Sequence, residues 1–295
     1  MISILIPVYN YDVVPLVNVL YNQAAHLKIA VEIRVVDDHS TNQEIVRNNS
    51  KVSRLEQVYY EHFEENLGRT ATRNHLAAQA RYDWLLFLDA DMWPGSPDFL
   101  KIYAENLQEN ELIFGGIQYE SHKTAGKELR WKYGTFREAQ NVSRRKKNPF
   151  LSVLSAVMLI KRDCFLKAND FLENRYGLDV LFTANLKKLD AKVLHIDNPA
   201  FHLGLEDNAV YIAKSKMAMQ SIAYFDTNKQ IPEDHRGIQK MAKKLQKLGL
   251  LRHFLRLYMR FEPQIIRNLH SANPSLIVFD IYRLHVLIEN NAKNT

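Results

Sequence analysis

The chain has a single cysteine, Cys164, in 295 residues. An internal disulfide is therefore excluded, as is a zinc site built on cysteines, and any metal must be held by oxygen or imidazole. Long apolar runs are equally scarce. No window approaches the roughly 20 uninterrupted apolar residues that a bilayer span needs, and 154–160 is too short to qualify. The opening Met1-Ile2-Ser3-Ile4-Leu5-Ile6-Pro7 has no basic lead and no small-residue cleavage site, and Pro7 stops it, so it predicts a first strand rather than a signal peptide. These absences predict a protein kept in the cytoplasm. The chain also lacks internal repeats and low-complexity tracts. A glycine-rich, basic phosphate loop is missing after the first strand, over 7–12, which argues against a nucleotidyltransferase.

What is present is enough apolar sequence for a sizeable core, 46% of the residues, with charges of both signs interspersed. One large globular domain, or one domain with an appendage, is the expectation. The net charge of +6 gathers in Arg144-Arg145-Lys146-Lys147 and again over 240–260. From the start, β-rich apolar runs over 2–6, 31–36, 57–60, 84–88 and 112–114 alternate with helical patterns over 13–27, 41–49, 70–80 and 97–107. A strand over 153–160, a helix over 178–189 and a strand over 192–196 complete the unit. Such alternation predicts an α/β fold, a Rossmann-like, mainly parallel sheet flanked by helices, whose ligands bind beyond the carboxyl ends of the strands. Residues 120–149, polar and basic with Trp131, Tyr133 and Phe136 spread through them, read as a mobile loop or lid. That loop either closes over a ligand bound at the strand ends or is a solvated basic segment. From 206 onward the pattern is helical, interrupted at Ile231-Pro232, Pro263 and Pro274. The expected division is a domain over 1–205 and a C-terminal helical extension over 206–295.

Three predicted strands deliver polar residues to one edge. The first ends in Pro7-Val8-Tyr9-Asn10, the second in Asp37-Asp38-His39-Ser40 and the fourth in Asp89-Ala90-Asp91. Tyr9 offers a flat face for stacking, and an Asp at a strand end can accept hydrogen bonds from a base or a ribose. Two carboxylates one residue apart suit a hard cation that bridges to phosphate oxygens. A nucleoside diphosphate with a divalent metal fits this edge. Singly, each piece has a plainer reading. Asp37 and Asp38 compete with Ser40 as caps of the next helix, and Asp89-Ala90-Asp91 before Pro94-Gly95 is also an acidic turn.

Pro7-Val8-Tyr9-Asn10, Val36-Asp37-Asp38-His39-Ser40, Asn66-Leu67-Gly68-Arg69-Thr70-Ala71-Thr72-Arg73-Asn74 and Leu88-Asp89-Ala90-Asp91 stand in the order and spacing of family 2 glycosyltransferases, which the chain resembles over about 1–205. The resemblance implies a GT-A fold, inversion at the sugar, a nucleotide-sugar donor with a UDP-sugar favoured, and Mn2+ or Mg2+. It implies that Pro7, Val8 and Tyr9, with Asp38 or Asp37, hold the base. Arg73 would reach the base or diphosphate, with Arg69 on the same helix face, unless it is only a surface ion-pair residue. Asp89 would contact the ribose or the metal, with Ala90 in the motif between, and Asp91 would be the main metal ligand.

Family members take the acceptor's proton with the Asp of a Glu-Asp pair that starts a helix. Here Tyr176-Gly177-Leu178-Asp179 keeps Asp179 and replaces the Glu by Leu178. Ser155-Ala156 likewise falls where the resemblance implies an asparagine, so two acceptor contacts depart from the pattern. A catalytically inactive sugar-nucleotide-binding protein is the alternative that these departures keep open. His195-Ile196-Asp197-Asn198-Pro199-Ala200-Phe201-His202-Leu203-Gly204 resembles the segment after the last strand in a bacterial subgroup. There His202 supplies an imidazole to the metal or diphosphate, or is a buried histidine satisfied by backbone, whereas His195 reads as structural.

The implied reaction moves a sugar to a saccharide or lipid-linked acceptor in cell-surface polysaccharide or glycoconjugate synthesis. In the tail, Met241, Leu245, Leu248, Leu251, Leu255 and Tyr258 recur at helical spacing among Lys243, Lys244, Lys247, Arg252, Arg256 and Arg260. Residues 240–261 thus predict a basic amphipathic helix, with Gly249 as its break point. It either packs on the catalytic domain with its basic side in water or makes peripheral contact with the inner face of the membrane. No nucleic-acid recognition motif accompanies the charges, so no nucleic-acid partner is expected.

Overall fold

The computed structural model describes residues 1–107, 109–171 and 175–293; residues 294 and 295 of the expected extension lie outside the described residues. The chain opens as the alternation predicts, with β1 (Ile2–Val8), α1 (Val14–Ala24), β2 (Val31–Asp37), α2 (Gln43–Asn49), β3 (Val58–His62), α3 (Arg69–Gln79) and β4 (Trp84–Leu88). Next come β5 (Met92–Pro94), α4 (Phe99–Ala104), β6 (Leu112–Phe114) and β7 (Ile117–Gln118). The middle of the chain forms α5 (Glu128–Tyr133), α6 (Val142–Arg145), β8 (Val157–Lys161), α7 (Arg162–Ala168), α8 (Asp179–Lys188), β9 (Val193–His195) and β10 (Ala200–His202). Helices α9 (Asn208–Thr227), α10 (Gly237–Lys247), α11 (Leu251–Leu269) and α12 (Leu276–Lys293) follow.

Two compact units result. The first gathers Met1–Gln118, Ala139–Asn174 and Asn185–Gly204, and the second gathers Tyr119–Glu138, Arg175–Ala184 and Leu205–Thr295. The first unit is built on a seven-stranded sheet in the order β3-β2-β1-β4-β8-β6-β9. β1 pairs in parallel with β2 and β4, β2 with β3, and β6 with β9, while β8 runs antiparallel between β4 and β6. Ile4, Leu5 and Ile6 on β1 and Leu85, Leu86, Phe87 and Leu88 on β4 are all fully buried. Continuous apolar runs of this kind suit central strands covered on both faces. Each such Leu or Ile stabilises the fold by roughly 1.5–3 kcal/mol relative to an exposed one. Helix α3 packs on β1 and β2, α7 on β8, and α1 on β2 and α4.

A second sheet, β5-β10-β7, sits in the same unit, with β10 antiparallel to β5 and parallel to β7. His202 on β10 lies opposite Met92 on β5. None of these three short strands is expected from the sequence pattern, because two or three residues carry no periodicity.

In the second unit α9 and α12 pack together, α10 and α11 lie against α12, and α5 lies against α9. Gly249 at φ +69° separates α10 from α11, so the basic stretch over 240–261 forms two helices with the break at the glycine. Pro263 does not interrupt the chain as expected. It lies inside α11, which absorbs the loss of one backbone donor. Among the described residues no helix is long and apolar enough to cross a membrane.

Helices form within the stretch expected as a mobile loop or lid over 120–149. It contains α5 and α6, buries Leu129 and Trp131, and ties Trp131 Nε1 to the carbonyl of Glu120 at 2.8 Å. Arg145, from the basic run, is buried and donates to the carbonyls of Phe114 at 3.1 Å and Ile196 at 2.9 Å. Backbone acceptors that the sequence pattern cannot reveal draw this charge inward.

Candidate active site

The carboxyl end of β1 leads into Asn10, whose positive φ of +49° suits an asparagine. Its side-chain oxygen accepts from the backbone N–H of Thr41 at 2.9 Å and Asn42 at 3.1 Å, joining the ends of β1 and β2. Pro7 and Val8 lie in the strand opposite Val36 and Asp37, and Tyr9 emerges beyond them with 52% of its surface exposed. Helix α2 is capped by Asn42, which accepts from Glu44 and Ile45.

Asp37 and Asp38 are both buried and face protein donors. Asp37 accepts from the backbone N–H of Ser40 at 2.7 Å and the hydroxyl of Tyr60 at 2.9 Å. Asp38 accepts from the N–H groups of Leu67 at 2.7 Å and Gly68 at 2.9 Å, while Asn66 donates to its carbonyl. Gly68 takes φ +84° there, a conformation that glycine adopts without steric penalty, and it places these donors at the start of α3. A carboxylate has about four acceptor positions, so Asp38 retains capacity for a further donor.

Arg69 and Arg73, one turn apart at the start of α3, both reach Asp89. Arg69 Nη2 lies 2.6 Å from one carboxylate oxygen, and Arg73 Nη2 donates to the other. Arg73 is buried and stacks over the Phe87 ring, whereas the Arg69 side chain is half exposed. Burial alone would raise the pKa of Asp89, but the charges and hydrogen bonds of Arg69 and Arg73 outweigh it and hold the carboxylate below its ordinary value. The backbone fixes the turn: Asp89 N–H donates to the carbonyl of Ala156 at 2.8 Å, and Met92 N–H to that of Asp89 at 3.0 Å. Ala156, at a position expected to be polar, thus serves the motif through its main chain.

Asp91 and His202 meet where β5 and β10 pair. His202 Nε2 lies 3.0 Å from Asp91 Oδ2, and Leu203 N–H donates to the Asp91 carbonyl at 2.9 Å. The backbone of Gly204 passes so close that a Cβ there would collide with the Asp91 carboxylate. Among the described residues no group of three or more His, Cys, Asp or Glu side chains is placed to hold a metal. Asp91 Oδ2 and His202 Nε2 supply one oxygen and one imidazole, the two donor types open to a metal in a chain with a single cysteine. Tyr11 has its pKa raised by burial and then by the charges of Asp91 and Asp12. Only its position just beyond Tyr9-Asn10 could have flagged it. His195 points elsewhere, bonding Pro149 O at 3.0 Å and meeting Phe114 edge-on.

Asp179 belongs to the second unit, as the first residue of α8. A carboxylate is favoured at that terminus by the helix dipole. Leu178, in the position of the expected Glu, is buried. Burial lowers the pKa of Arg236, while Tyr133 and then the Asp179 carboxylate act in the opposite direction, so Arg236 lies within electrostatic reach of Asp179. One turn on, Thr183 Oγ1 lies 3.1 Å from His235 Nε2.

Residues 3–163 match the model of a family described as Glycosyl transferase family 2. No curated protein matches the chain in sequence. A crystal structure of residues 1–349 of S. aureus TarS aligns with 99% of this chain and 88% of its own, at 20% identity and a TM-score of 0.57. The same TarS fragment in complex with UDP-GlcNAc gives a TM-score of 0.55 at 20% identity over the same shares. The mannosyltransferase PcManGT from Pyrobaculum calidifontis, in complex with GDP-Man and Mn2+, aligns with 98% of this chain and 86% of its own, at 14% identity and a TM-score of 0.60. Glucosyl-3-phosphoglycerate synthase from Mycobacterium tuberculosis, with Mg2+ and UDP, covers 79% of this chain and 81% of its own, at 14% identity and a TM-score of 0.51. At such identities the likeness is one of fold.

Proposed function

The chain belongs to glycosyl transferase family 2, and on that premise we propose that it moves a sugar, with inversion, from a nucleoside-diphosphate sugar to a saccharide or lipid-linked acceptor in cell-surface polysaccharide or glycoconjugate synthesis. Its mainly parallel sheet flanked by helices, with further helices at the C-terminus, is the GT-A fold. The observation that carries the proposal is the 3.0 Å approach of His202 to Asp91 in the unit where Arg69 and Arg73 hold Asp89. The uridine nucleotides held by two of the neighbours support a UDP-sugar, and the Mn2+ of the GDP-Man-bound mannosyltransferase and the Mg2+ of the synthase support a divalent cation.

In this reading Tyr9 stacks on the base, the main chain of Pro7 and Val8 borders it, and Asp38 accepts one of its N–H groups. Asp37 holds the Asp38 turn through Ser40 and Tyr60. Asp91 and His202 would hold the cation, and Asp89, across Ala90, fixes the two arginines and would meet the ribose. Held there, a Mn2+ or Mg2+ would neutralise negative charge on the leaving diphosphate. Arg73 and Arg69 add fixed positive charge at the start of α3, where an anion is also favoured by the helix dipole. The acceptor hydroxyl oxygen bonds to the anomeric carbon as the bond from that carbon to the β-phosphate oxygen breaks. The hydroxyl proton passes to the Asp179 carboxylate, and the nucleoside diphosphate leaves.

The buried Leu178 in place of a Glu favours one competing reading, a sugar-nucleotide-binding protein without turnover. Calorimetric titration with UDP, GDP, dTDP and CDP, with and without Mn2+, followed by hydrolysis assays on the matching nucleotide sugars, separates the two. Metal-dependent binding of one nucleotide with slow hydrolysis is the expected result. Binding without hydrolysis would favour the inactive binder, and no binding would overturn both.

A further inference from the structure

The second unit carries a feature that sugar transfer itself does not use. Met241, Leu248, Leu250, Leu257 and Phe261 are large apolar residues on α10, α11 and the turn between them, and all are exposed, Leu257 at 59%. Their spacing is ordered. On α11, Tyr258 and Ile265 form the buried stripe, seven residues apart. Leu250, Leu257 and Phe261, spaced by seven and four, form a second stripe about 100° round the helix. On α10, Ala242 is buried, and Met241, Leu245 and Leu248 repeat the offset. A helix that only covered a core would carry polar residues on that flank. Here the apolar flank continues through the exposed turn Leu248-Gly249-Leu250 from one helix to the next.

The charges beside it have one sign. From Gly237 to Phe261 there is no Asp or Glu, while Lys244, Lys247, Arg252, Arg256 and Arg260 are all exposed. Lys244 borders the apolar flank of α10, and Arg256 and Arg260 lie beyond that of α11. A flank of leucine, methionine and phenylalanine edged by lysine and arginine is complementary to a bilayer interface with anionic headgroups. A second copy docked by the same face would bring like charges together. Neither helix is long and apolar enough to cross the bilayer, so the contact is one of lying on the surface.

We propose that the α10–α11 pair is a membrane-docking surface, which places the apolar flank of both helices in the interface of an anionic lipid bilayer. This inference stands apart from the sugar-transfer reading, since it uses none of the residues assigned there.

The test is co-sedimentation of the full chain with vesicles of phosphatidylcholine alone and of equal parts phosphatidylcholine and phosphatidylglycerol. The expected result is binding to the anionic vesicles roughly tenfold or more above the neutral ones, falling steeply with salt. The double variant L257E/F261E should lose this binding, as should K244E/R256E, with far-ultraviolet circular dichroism and thermal melts unchanged. Met217→Glu, which alters an exposed apolar residue of α9, should retain it. Absence of binding, equal binding to both vesicles, or full binding by both double variants would overturn the proposal. Concentration-dependent dimers in sedimentation velocity without lipid, abolished by L257E/F261E, would assign the face to a second copy instead and equally overturn it.

Discussion

The imidazole Nε2 of His202 stands 3.0 Å from Oδ2 of Asp91, although 111 residues separate the two in sequence. The pairing of β10 with β5 makes the approach, and it gives the first prediction. Asp91→Asn should abolish Mn2+-dependent binding of the nucleoside diphosphate, and His202→Ala should weaken it on the order of 10–100-fold, the range seen when metal-site partners are removed. Calorimetric titration with and without Mn2+ reads both. Unchanged Mn2+ dependence in His202→Ala would remove the imidazole from the ligand set.

Arg69 and Arg73 share one partner but not one environment. Arg73 is buried, so Arg73→Ala strands part of the Asp89 charge and should cost about 2 kcal/mol in urea unfolding, less than the 3–5 of a fully buried pair because Arg69 remains and Asp89 is partly exposed. Arg69→Ala, at a half-exposed pair, should cost about 0–1 kcal/mol. Equal losses would mean that burial does not distinguish them.

Gly204→Ala introduces a Cβ where the Asp91 carboxylate lies. The carboxylate must move, at about 1–3 kcal/mol for an overpacked position. The fold should persist by circular dichroism while Mn2+-dependent nucleotide binding is lost. Normal metal dependence in a folded variant would show that the Asp91 position is not constrained.

Asp179→Asn should leave donor binding intact and reduce transfer by on the order of 10²–10⁴-fold, the usual contribution of a general base. Binding is read by calorimetry and transfer by release of the diphosphate. Transfer at the unaltered rate would take the role of base away from Asp179.

Burial, aided by the charges of Glu111 and Asp163, pushes the Cys164 thiol up to about 12 from an ordinary 9.0. Between those values the folded chain keeps a proton that the unfolded chain gives up, so this group's contribution to stability falls as pH rises through the window. At pH 9 alkylation by iodoacetamide should therefore be slow in the native protein and fast in urea. Rapid native labelling would mean that the thiol is exposed or ionised.

Much of the first unit was legible because its strands are long and apolar. The alternation from Ile2 to Phe114 marks β1, β2, β3, β4 and β6, and the polar strand ends mark the edge where Asp38, Asp89 and Asp91 lie. The hydropathy pattern could not give the direction of β8, since an apolar run such as 153–160 is the same read either way. The short strands β5, β7 and β10 were illegible for want of length, although β10 is what brings His202 to Asp91. The helices within 120–149 are not legible, because polar composition hides acceptors supplied from far away, as Phe114 and Ile196 supply them to Arg145. Pro263 does not end α11, since one lost donor does not break a helix packed against α12.

His202 occupies the last position of a strand only three residues long. Successive side chains on a strand point to opposite faces. Deleting one residue between Pro199 and His202 would therefore turn the imidazole to the far side of the small sheet and present a neighbour's side chain to Asp91. Substitutions of neighbours that touch neither side chain should accordingly be tolerated far better than insertions or deletions. In any transplant of this centre to another scaffold, the Met92–His202 register has to be copied together with Asp91, His202 and Gly204.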